Sequence, residues 1–168
     1  LVPDYYDRYL YAYRRGVPVS GRTIYDYQLA EFSDAGKYLK TCYDFTGWFK
    51  ENGSWYYVLE GFTCYGWGQI GGKWYYLDPD GYMAANIWRR VNGWWYYLTG
   101  SGAMAAGWRK VGKYWYYLNP QSGKEPLGGM LTGLREIGGK KYYFNPIPFQ
   151  GIPKGALIIT DEDGAVKM

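Results

Sequence analysis

The feature that most constrains the fold is a short segment that recurs five times between residues 46 and 145. Each copy opens with Gly-Trp or a close variant and carries an aromatic triplet, as in GWGQIGGKWYYLDPDGYMAAN and IWRRVNGWWYYLTGSGAMAA. The triplet always begins seven positions after the Trp position, while successive copies are 19, 21, 20 and 26 residues apart. A constant internal spacing with variable linkers is typical of a repeat protein in which each unit packs on its neighbours.

Each copy is predicted to form a two-stranded antiparallel hairpin. The strand segments are rich in Trp, Tyr, Val and Ile, which favour half-buried strands. Between them lie dipeptides suited to two-residue hairpin turns, namely Asn52-Gly53, Gly71-Gly72, Asn92-Gly93, Gly112-Lys113 and Gly138-Gly139. Because one hairpin cannot bury two aromatic faces, we predict an all-β solenoid of stacked hairpins with atypical capping ends.

The turn sets the register of each hairpin and therefore sorts the side chains between its two faces. With the turn placed at Asn92, Trp88 pairs with Tyr97. Side chains alternate along a strand while paired residues share a face, so Trp88, Trp95 and Tyr97 lie together. Tyr96 points the other way. The Trp pair of one copy would then face the central Tyr of the next copy.

The composition favours binding over catalysis. Aromatic residues make up 22% of the chain, which excludes a disordered polymer. The chain has no His and only two Cys, so we expect no catalytic site of the His-based kind, no metal and no cofactor. The formal charge of +4 is small and scattered, and we expect no nucleic-acid partner. No apolar run approaches the ~20 residues of a transmembrane segment.

Two Trp rings on one hairpin and a Tyr ring from the next would place three π-faces around a gap. Such a box suits a quaternary ammonium ion, which ring quadrupoles and dispersion hold at ~0.5 to 2 kcal/mol per contact. The alternative is that the rings are plain core, as alternating aromatic residues in strands commonly are. Both interpretations can hold for different rings, with the second Tyr of each triplet the better candidate for pure core.

These segments closely resemble the choline-binding repeats of pneumococcal-type cell-wall proteins and phage lysins. The shared pattern is Gly-Trp, five or six residues, Trp-Tyr-Tyr-Leu and then Gly-x-Met, and it covers residues 46–145. The resemblance implies a left-handed superhelix of hairpins, with choline caged between consecutive copies. The choline contacts that it implies, junction by junction, are Trp48, Trp55, Tyr75 and Met83; Trp67, Trp74, Tyr96 and Met104; Trp88, Trp95 and Tyr116; and Trp108, Trp115 and Tyr142.

Departures from the family pattern leave parts of this set open. The fifth copy has Leu134 and Lys141 at the Trp positions and resembles glucan-binding and clostridial-toxin repeats, which bind carbohydrate. The insertion around residues 121–127 could displace the fifth hairpin and so separate Tyr142 from the fourth Trp pair. The Met residues could equally be gap-filling core.

The ends of the chain lie outside the regular repeats. Residues 1–45 are predicted to form an N-terminal cap or degenerate repeat, with a small unrelated domain as the alternative, and YYDRYLYAYRRG fits either a helix or a strand. Residues 146–168 are predicted to form a C-terminal capping hairpin with an apolar strand at 156–159. The acidic run at 161–163 resembles part of a calcium loop, but three acids in a turn are usually only solvated.

The two cysteines, Cys42 and Cys64, are 22 positions apart, close to one repeat, so they could meet across adjacent units. Sequence alone leaves their pairing open, because it does not provide the Cα separation that a disulfide requires. The first ten residues carry neither the basic nor the apolar region of a secretory signal. We expect such a signal to be absent or to have been removed before position 1.

The leading functional hypothesis is a non-catalytic module, secreted to a Gram-positive cell surface, that binds choline on teichoic or lipoteichoic acid. Several weak cages on one polymer would act by avidity. One alternative is carbohydrate binding of the glucan or toxin-repeat kind. Another is the binding portion of a wall-lytic enzyme, whose catalytic domain would lie upstream. Homodimer formation and contact with a host protein also stay open.

Overall fold

The computed structural model of the protein describes residues 21–25, 28–32 and 38–158. Every regular element in these ranges is a β-strand, which confirms the predicted all-β class. The chain divides into two compact units, and the boundary between them lies at Ala84 and Ala85. Within the described ranges, no helix has the length and apolarity that a membrane span requires.

The first unit contains one larger sheet and one separate hairpin. Its strands are β1 (Gly21–Tyr25), β2 (Gln28–Phe32), β3 (Tyr38–Thr41), β4 (Gly47–Glu51), β5 (Ser54–Leu59), β6 (Phe62–Thr63), β7 (Gly66–Ile70) and β8 (Lys73–Leu77). The sheet has the order β1-β2-β6-β5-β4, and β3 also pairs with β2. The first repeat hairpin, β4–β5, is therefore continuous with the N-terminal strands, while β7 and β8 form the second repeat hairpin.

The second unit contains the other three repeat hairpins. Its strands are β9 (Ile87–Val91), β10 (Trp94–Leu98), β11 (Gly107–Val111), β12 (Tyr114–Leu118), β13 (Gly133–Ile137), β14 (Lys140–Phe144) and β15 (Leu157–Ile158). β9 pairs with β10 and β11 pairs with β12, each as a separate hairpin. In the fifth copy, β15 adds a third strand beside β14.

All five repeat hairpins pair in the predicted register. Trp88 lies opposite Tyr97 in the third hairpin, and the corresponding positions pair in the other four. The turn residues Asn92 and Gly93 have φ values of 49° and 84°. Gly112, the first residue of the fourth turn, has a φ of 57°. Asn and Gly tolerate this left-handed region better than other residues, so the turn chemistry fixes the register locally.

A short tail closes every repeat in the same way. The residue at the Met position of each copy lies opposite a buried apolar residue near the end of the second strand. The pairs are Val58 with Thr63, Leu77 with Met83, Leu98 with Met104, Leu118 with Met130, and Phe144 with Leu157. Each tail therefore returns to the same place beside its hairpin, although the loops before it differ in length.

The insertion around residues 121–127 is taken up by its own loop. The Gly128 N–H donates to the Asn119 carbonyl at 2.7 Å, just as the Gly102 N–H donates to the Thr99 carbonyl at 2.8 Å in the shorter third copy. The side-chain amide of Asn119 also donates to the Glu125 carbonyl at 2.9 Å. Because the loop ends meet as they do without the insertion, the displacement that the sequence left open does not occur. Added loop length costs little once the ends are held together.

The largest buried cluster of the second unit joins consecutive hairpins to the C-terminal tail. Its members are Tyr97, Ala105, Tyr116, Leu118, Met130 and Ala156. They come from the third, fourth and fifth copies, so these three copies of the second unit bury their apolar side chains against one another. This arrangement is the stacking that the aromatic alternation predicted.

Some terminal predictions lie outside the described residues. These are the helix or strand in YYDRYLYAYRRG and the acidic residues Asp161, Glu162 and Asp163. Of the apolar strand predicted at 156–159, the structure contains β15, which pairs with β14 through Tyr143 and Phe144. The C-terminal tail thus extends the sheet of the fifth hairpin.

Cys42 and Cys64 are both free thiols in this structure. Cys42 is fully buried, and a Cβ placed on Gly61 would lie only 2.8 Å from the Cys42 carbonyl oxygen. Burial raises the pKa of the Cys64 thiol. A raised pKa keeps the thiol protonated and poorly nucleophilic, so this cysteine is suited to packing and not to chemistry.

Candidate functional site

The first cage lies in the first unit and combines side chains from two successive hairpins. Trp48 pairs with Tyr57, two residues after Trp55, so the two Trp side chains share a face. Their ring centroids are 6.5 Å apart with the planes at 87°. The ring of Tyr75, from the next hairpin, lies 4.9 Å from Trp48. The structure therefore brings together the three rings predicted for the first junction.

Met83 is held next to this cage by its backbone. Its N–H donates to the Trp55 carbonyl at 2.7 Å, and it pairs with Leu77 at the end of β8. The tail of the second copy therefore crosses the second strand of the first hairpin. This places the predicted Met beside the predicted Trp, although the two residues are 28 positions apart in sequence.

The third predicted junction repeats this arrangement in the second unit. The ring of Trp88 lies 4.9 Å from that of Tyr116 at an angle of 62°, and 5.1 Å from that of Tyr97 on its own hairpin. Trp95 remains 36% exposed. The hairpin that supplies the Trp pair and the hairpin that supplies the central Tyr are consecutive, as predicted.

Met130 is a further cage neighbour that sequence reasoning missed. Its N–H donates to the Trp95 carbonyl at 2.8 Å, which is the contact that Met83 makes with Trp55 in the first cage. A signal was available, because Met130 follows Gly128 in the same Gly-x-Met pattern that marks Met83. The longer insertion before it obscured the equivalence.

The fourth junction forms despite the insertion that precedes its Tyr. The rings of Trp108 and Trp115 are 6.4 Å apart at 82°, and the ring of Tyr142 lies 4.8 Å from Trp108. These values match those of the first cage within 0.1 Å in each distance. At the Met position of this junction the chain has Leu157, which pairs with Phe144.

The second predicted set draws on both units and stays a prediction. Trp67 and Trp74 belong to the β7–β8 hairpin of the first unit, where Trp67 packs on Tyr76 at 5.1 Å. Tyr96 and Met104 belong to the second unit. There Met104 pairs with Leu98.

The fifth hairpin keeps the backbone of a cage but not its rings. Leu134 pairs with Tyr143 as Trp108 pairs with Tyr117. Leu134 is 58% exposed, and Lys141 is exposed as well. The prediction that this copy lacks a Trp cage follows directly from these two residues.

The second Trp of a cage, here called the outer Trp, is more exposed than the central Tyr that follows it directly in the chain. Trp55 and Trp115 are 40% and 44% exposed, whereas Tyr56 and Tyr116 are 6% and 5% exposed. The interpretation of the second Tyr as the purer core position is therefore wrong for the first and fourth copies, where Tyr57 and Tyr117 are less buried than Tyr56 and Tyr116. The central Tyr is enclosed because it packs between its own hairpin and the preceding one.

Burial favours the neutral form of three central Tyr hydroxyls, those of Tyr56, Tyr96 and Tyr116. Burial raises the pKa of Tyr116 above its ordinary value, and the nearby Tyr114 adds to this effect. Burial likewise raises the pKa of Tyr96. For Tyr56 burial is again the main cause, followed by the hydrogen bond with Tyr82. These rings therefore present neutral π-faces and not phenolate charges.

The groups that a cage offers to a ligand are aromatic rings. Within the described ranges, no group of three or more His, Cys, Asp or Glu side chains could hold a metal ion. Partly exposed Trp faces beside a buried Tyr can hold a cation by its attraction to the ring quadrupoles. They can also stack against an apolar or sugar surface.

Two family models match the repeat region. One, described as a choline-binding repeat, matches residues 85–125. The other, described as a cell wall binding repeat, matches residues 46–60, 66–83 and 132–146. A search of curated proteins found no match.

Solved structures of bacterial and phage proteins are similar to this chain. Choline binding protein F from Streptococcus pneumoniae, crystallised in the presence of a peptidoglycan analogue, is 37% identical, with 88% of this chain and 44% of that chain covered and a TM-score of 0.61. The multimodular pneumococcal cell wall endolysin from phage Cp-1, complexed with choline, is 31% identical, with 73% and 37% covered and a TM-score of 0.52. The modular Cpl-1 endolysin with a peptidoglycan analogue is 36% identical, with 60% and 28% covered and a TM-score of 0.50. The chain spans less than half the length of each of these three structures.

Proposed function

Because this chain belongs to the family of proteins built from choline-binding repeats, we propose that it is a non-catalytic module that binds choline on teichoic or lipoteichoic acid. Its place of action is the surface of a Gram-positive bacterium, to which it is secreted. The module acts alone or as the binding part of a larger wall-lytic protein. The endolysins among its structural relatives support the second arrangement.

The observation that carries the proposal is the recurrence of one ring geometry at separate junctions. In the first cage Trp48 lies 4.9 Å from Tyr75, and in the fourth cage Trp108 lies 4.8 Å from Tyr142. Ordinary core packing does not require that the outer Trp of each cage stay near 40% exposed. A ligand that needs π-faces and offers no N–H donor, such as a trimethylammonium group, accounts for both the repetition and the exposure.

Repetition also suits a polymeric ligand. A single cage with contacts worth ~0.5 to 2 kcal/mol each binds weakly. Several cages on one choline-bearing polymer add avidity, which gains roughly 10² to 10⁴ over one site. The proposed module therefore distinguishes a decorated wall polymer from free choline by the number of contacts it makes at once.

The experiment that tests this function is a choline titration followed by Trp fluorescence and by calorimetry. We expect saturable binding at millimolar concentrations and a rise in thermal stability, because choline binds the stacked state and not the unfolded chain. Parallel titrations with a soluble glucan and with a tetrasaccharide of peptidoglycan test the carbohydrate alternative. Saturable binding of a sugar without any response to choline would contradict the proposed function and support that alternative.

A further inference from the structure

Three of the predicted cages have a basic residue directly across the hairpin from their second Trp. The pairs are Lys50 with Trp55, Arg90 with Trp95, and Lys110 with Trp115. Paired residues on antiparallel strands share a face. Each basic side chain therefore lies on the same face as the Trp rings of its cage and beside the more exposed one.

The contact is visible in the first cage. The Lys50 Nζ lies 5.5 Å from the ring centroid of Trp55. Lys50, Arg90 and Lys110 are all exposed. Among the residues that the structure describes, none of the three forms an ion pair with a carboxylate. Their charges are thus available to a ligand held by the neighbouring rings.

The basic residue is present in three of the four repeat hairpins that carry a Trp pair. These are the hairpins that supply the Trp pairs of the first, third and fourth cages. In the fifth hairpin, where the Trp pair is missing, the same position holds Glu136 opposite Lys141. In the second hairpin it holds Gln69 opposite Trp74. Glu136 thus faces an opposite charge across the fifth hairpin, whereas Lys50, Arg90 and Lys110 face a Trp ring.

A cation at this place is unfavourable for a bare ammonium ligand, since like charges a few Å apart repel each other. It becomes favourable when the ligand carries an anion next to its ammonium group. Choline has one hydroxyl, two carbons from its nitrogen, and attachment to a polymer uses that oxygen. A phosphate ester at this oxygen would lie within reach of a side chain that borders the ring holding the ammonium, and Lys or Arg forms strong charge-assisted hydrogen bonds with phosphate.

We infer that Lys50, Arg90 and Lys110 form an anionic subsite beside the first, third and fourth cages, where they bind the phosphate of a choline phosphodiester. The inference rests on the proposed choline-binding function and adds a specificity determinant to it. The rings select the trimethylammonium group, and the basic residue selects the ester form over free choline. Glycerophosphocholine is the smallest soluble probe that carries both groups.

The experiment compares glycerophosphocholine with choline by calorimetric titration of the full chain. The test variant replaces Lys50, Arg90 and Lys110 with Gln. The matched control replaces Lys113, Lys124 and Lys154 with Gln, which removes the same charge from exposed loop positions. We expect the test variant to lose about threefold to tenfold in affinity for glycerophosphocholine, less at high salt, while its choline affinity stays unchanged or rises.

Two outcomes would overturn the inference without touching the proposed function. One is an equal loss of affinity for both ligands, which would make the basic residues part of the cage wall. The other is a loss of glycerophosphocholine affinity no larger than that of the control variant. If the unmodified chain binds neither ligand, the proposed function fails, and the inference fails with it. Circular dichroism of each variant confirms that the hairpins remain folded.

Discussion

The fourth and fifth hairpins have the same backbone conformation but carry different side chains at the two Trp positions of the repeat. Both pair in the same register, and their turns begin with Gly112 and Gly138 at φ values of 57° and 58°. On the outward face the fourth hairpin carries Trp108 and Trp115. The fifth carries Leu134 and Lys141 at the same positions. In the fourth hairpin the ring of Trp108 lies 4.8 Å from that of Tyr142 in the next copy, whereas the fifth hairpin has no aromatic ring at either position.

The comparison teaches that stacking and ligand binding depend on different positions of the same repeat. Leu118 and Phe144, near the ends of the second strands, are both fully buried. These positions maintain the repeat whether or not a cage is present. The outer Trp positions are half exposed where a cage forms, so they contribute less to the core than to the proposed site. A repeat can therefore lack the Trp residues of a cage and still keep its fold.

The largest expected effect contrasts two leucines of these hairpins. Leu118→Ala should lower the free energy of unfolding by about 3 kcal/mol, because it empties a fully buried position. Leu134→Ala should cost less than about 0.5 kcal/mol, since that side chain is 58% exposed. Urea denaturation followed by circular dichroism measures both. Equal losses would mean that the outward face of the fifth hairpin is buried in solution.

A smaller effect concerns the ligand. Trp115→Ala should remove the fourth choline site, because one of three rings worth ~0.5 to 2 kcal/mol each is lost. Lys141→Ala, at the equivalent position of the fifth hairpin, should leave the number of bound cholines unchanged. Calorimetric titration provides the stoichiometry of each variant. A loss of choline binding in the Lys141 variant would contradict the assignment of the faces.

The third prediction concerns the central Tyr of the fourth copy at alkaline pH. Burial raises the pKa of Tyr116, so the folded state holds its proton more tightly than the unfolded chain. The resulting stability is complete below the ordinary Tyr pKa of about 10 and is lost as the pH rises above it toward the folded pKa. The slope for one proton is at most about 1.4 kcal/mol per pH unit.

Urea denaturation between pH 8 and 11 measures this slope. Tyr116→Phe should flatten the fall in stability above pH 10, because Phe has no proton to lose. Leu134→Ala serves as the control and should keep the slope of the unmodified chain. If Tyr116→Phe has the same slope as the unmodified chain, the Tyr116 proton does not contribute to stability.

The smallest effect concerns the contact between the insertion loop and the fifth hairpin. The Arg135 guanidinium donates to both carboxylate oxygens of Glu125, at 2.7 and 3.3 Å. The pair is 30% and 25% exposed, so solvent screens part of its attraction. A double-mutant cycle with Glu125→Gln and Arg135→Gln should measure a coupling of about 0.5 to 1 kcal/mol. The coupling energy should decrease in 1 M salt. A coupling energy that does not change with salt would indicate packing and not charge attraction.

Local chemistry explains why much of the fold was predictable. The turn dipeptides demand positive φ values, and the two-residue alternation of strands then assigns every side chain to a face. The pairing of Trp88 with Tyr97 followed from these rules alone and is observed. The same rules identified the ring sets of the first and third junctions, because each needs only consecutive hairpins to stack. The insertion left the fourth set open.

What the sequence by itself determined is thus the hairpins, their registers and the separation of Trp and Tyr faces, all of which depend on residues a few positions apart. Only the tertiary structure decided that the insertion leaves Tyr142 beside Trp108, and that the central Tyr is the more buried one in the first and fourth copies. These outcomes depend on how a loop closes and how one hairpin covers another. Such contacts join residues distant in the chain, and no local pattern specifies them.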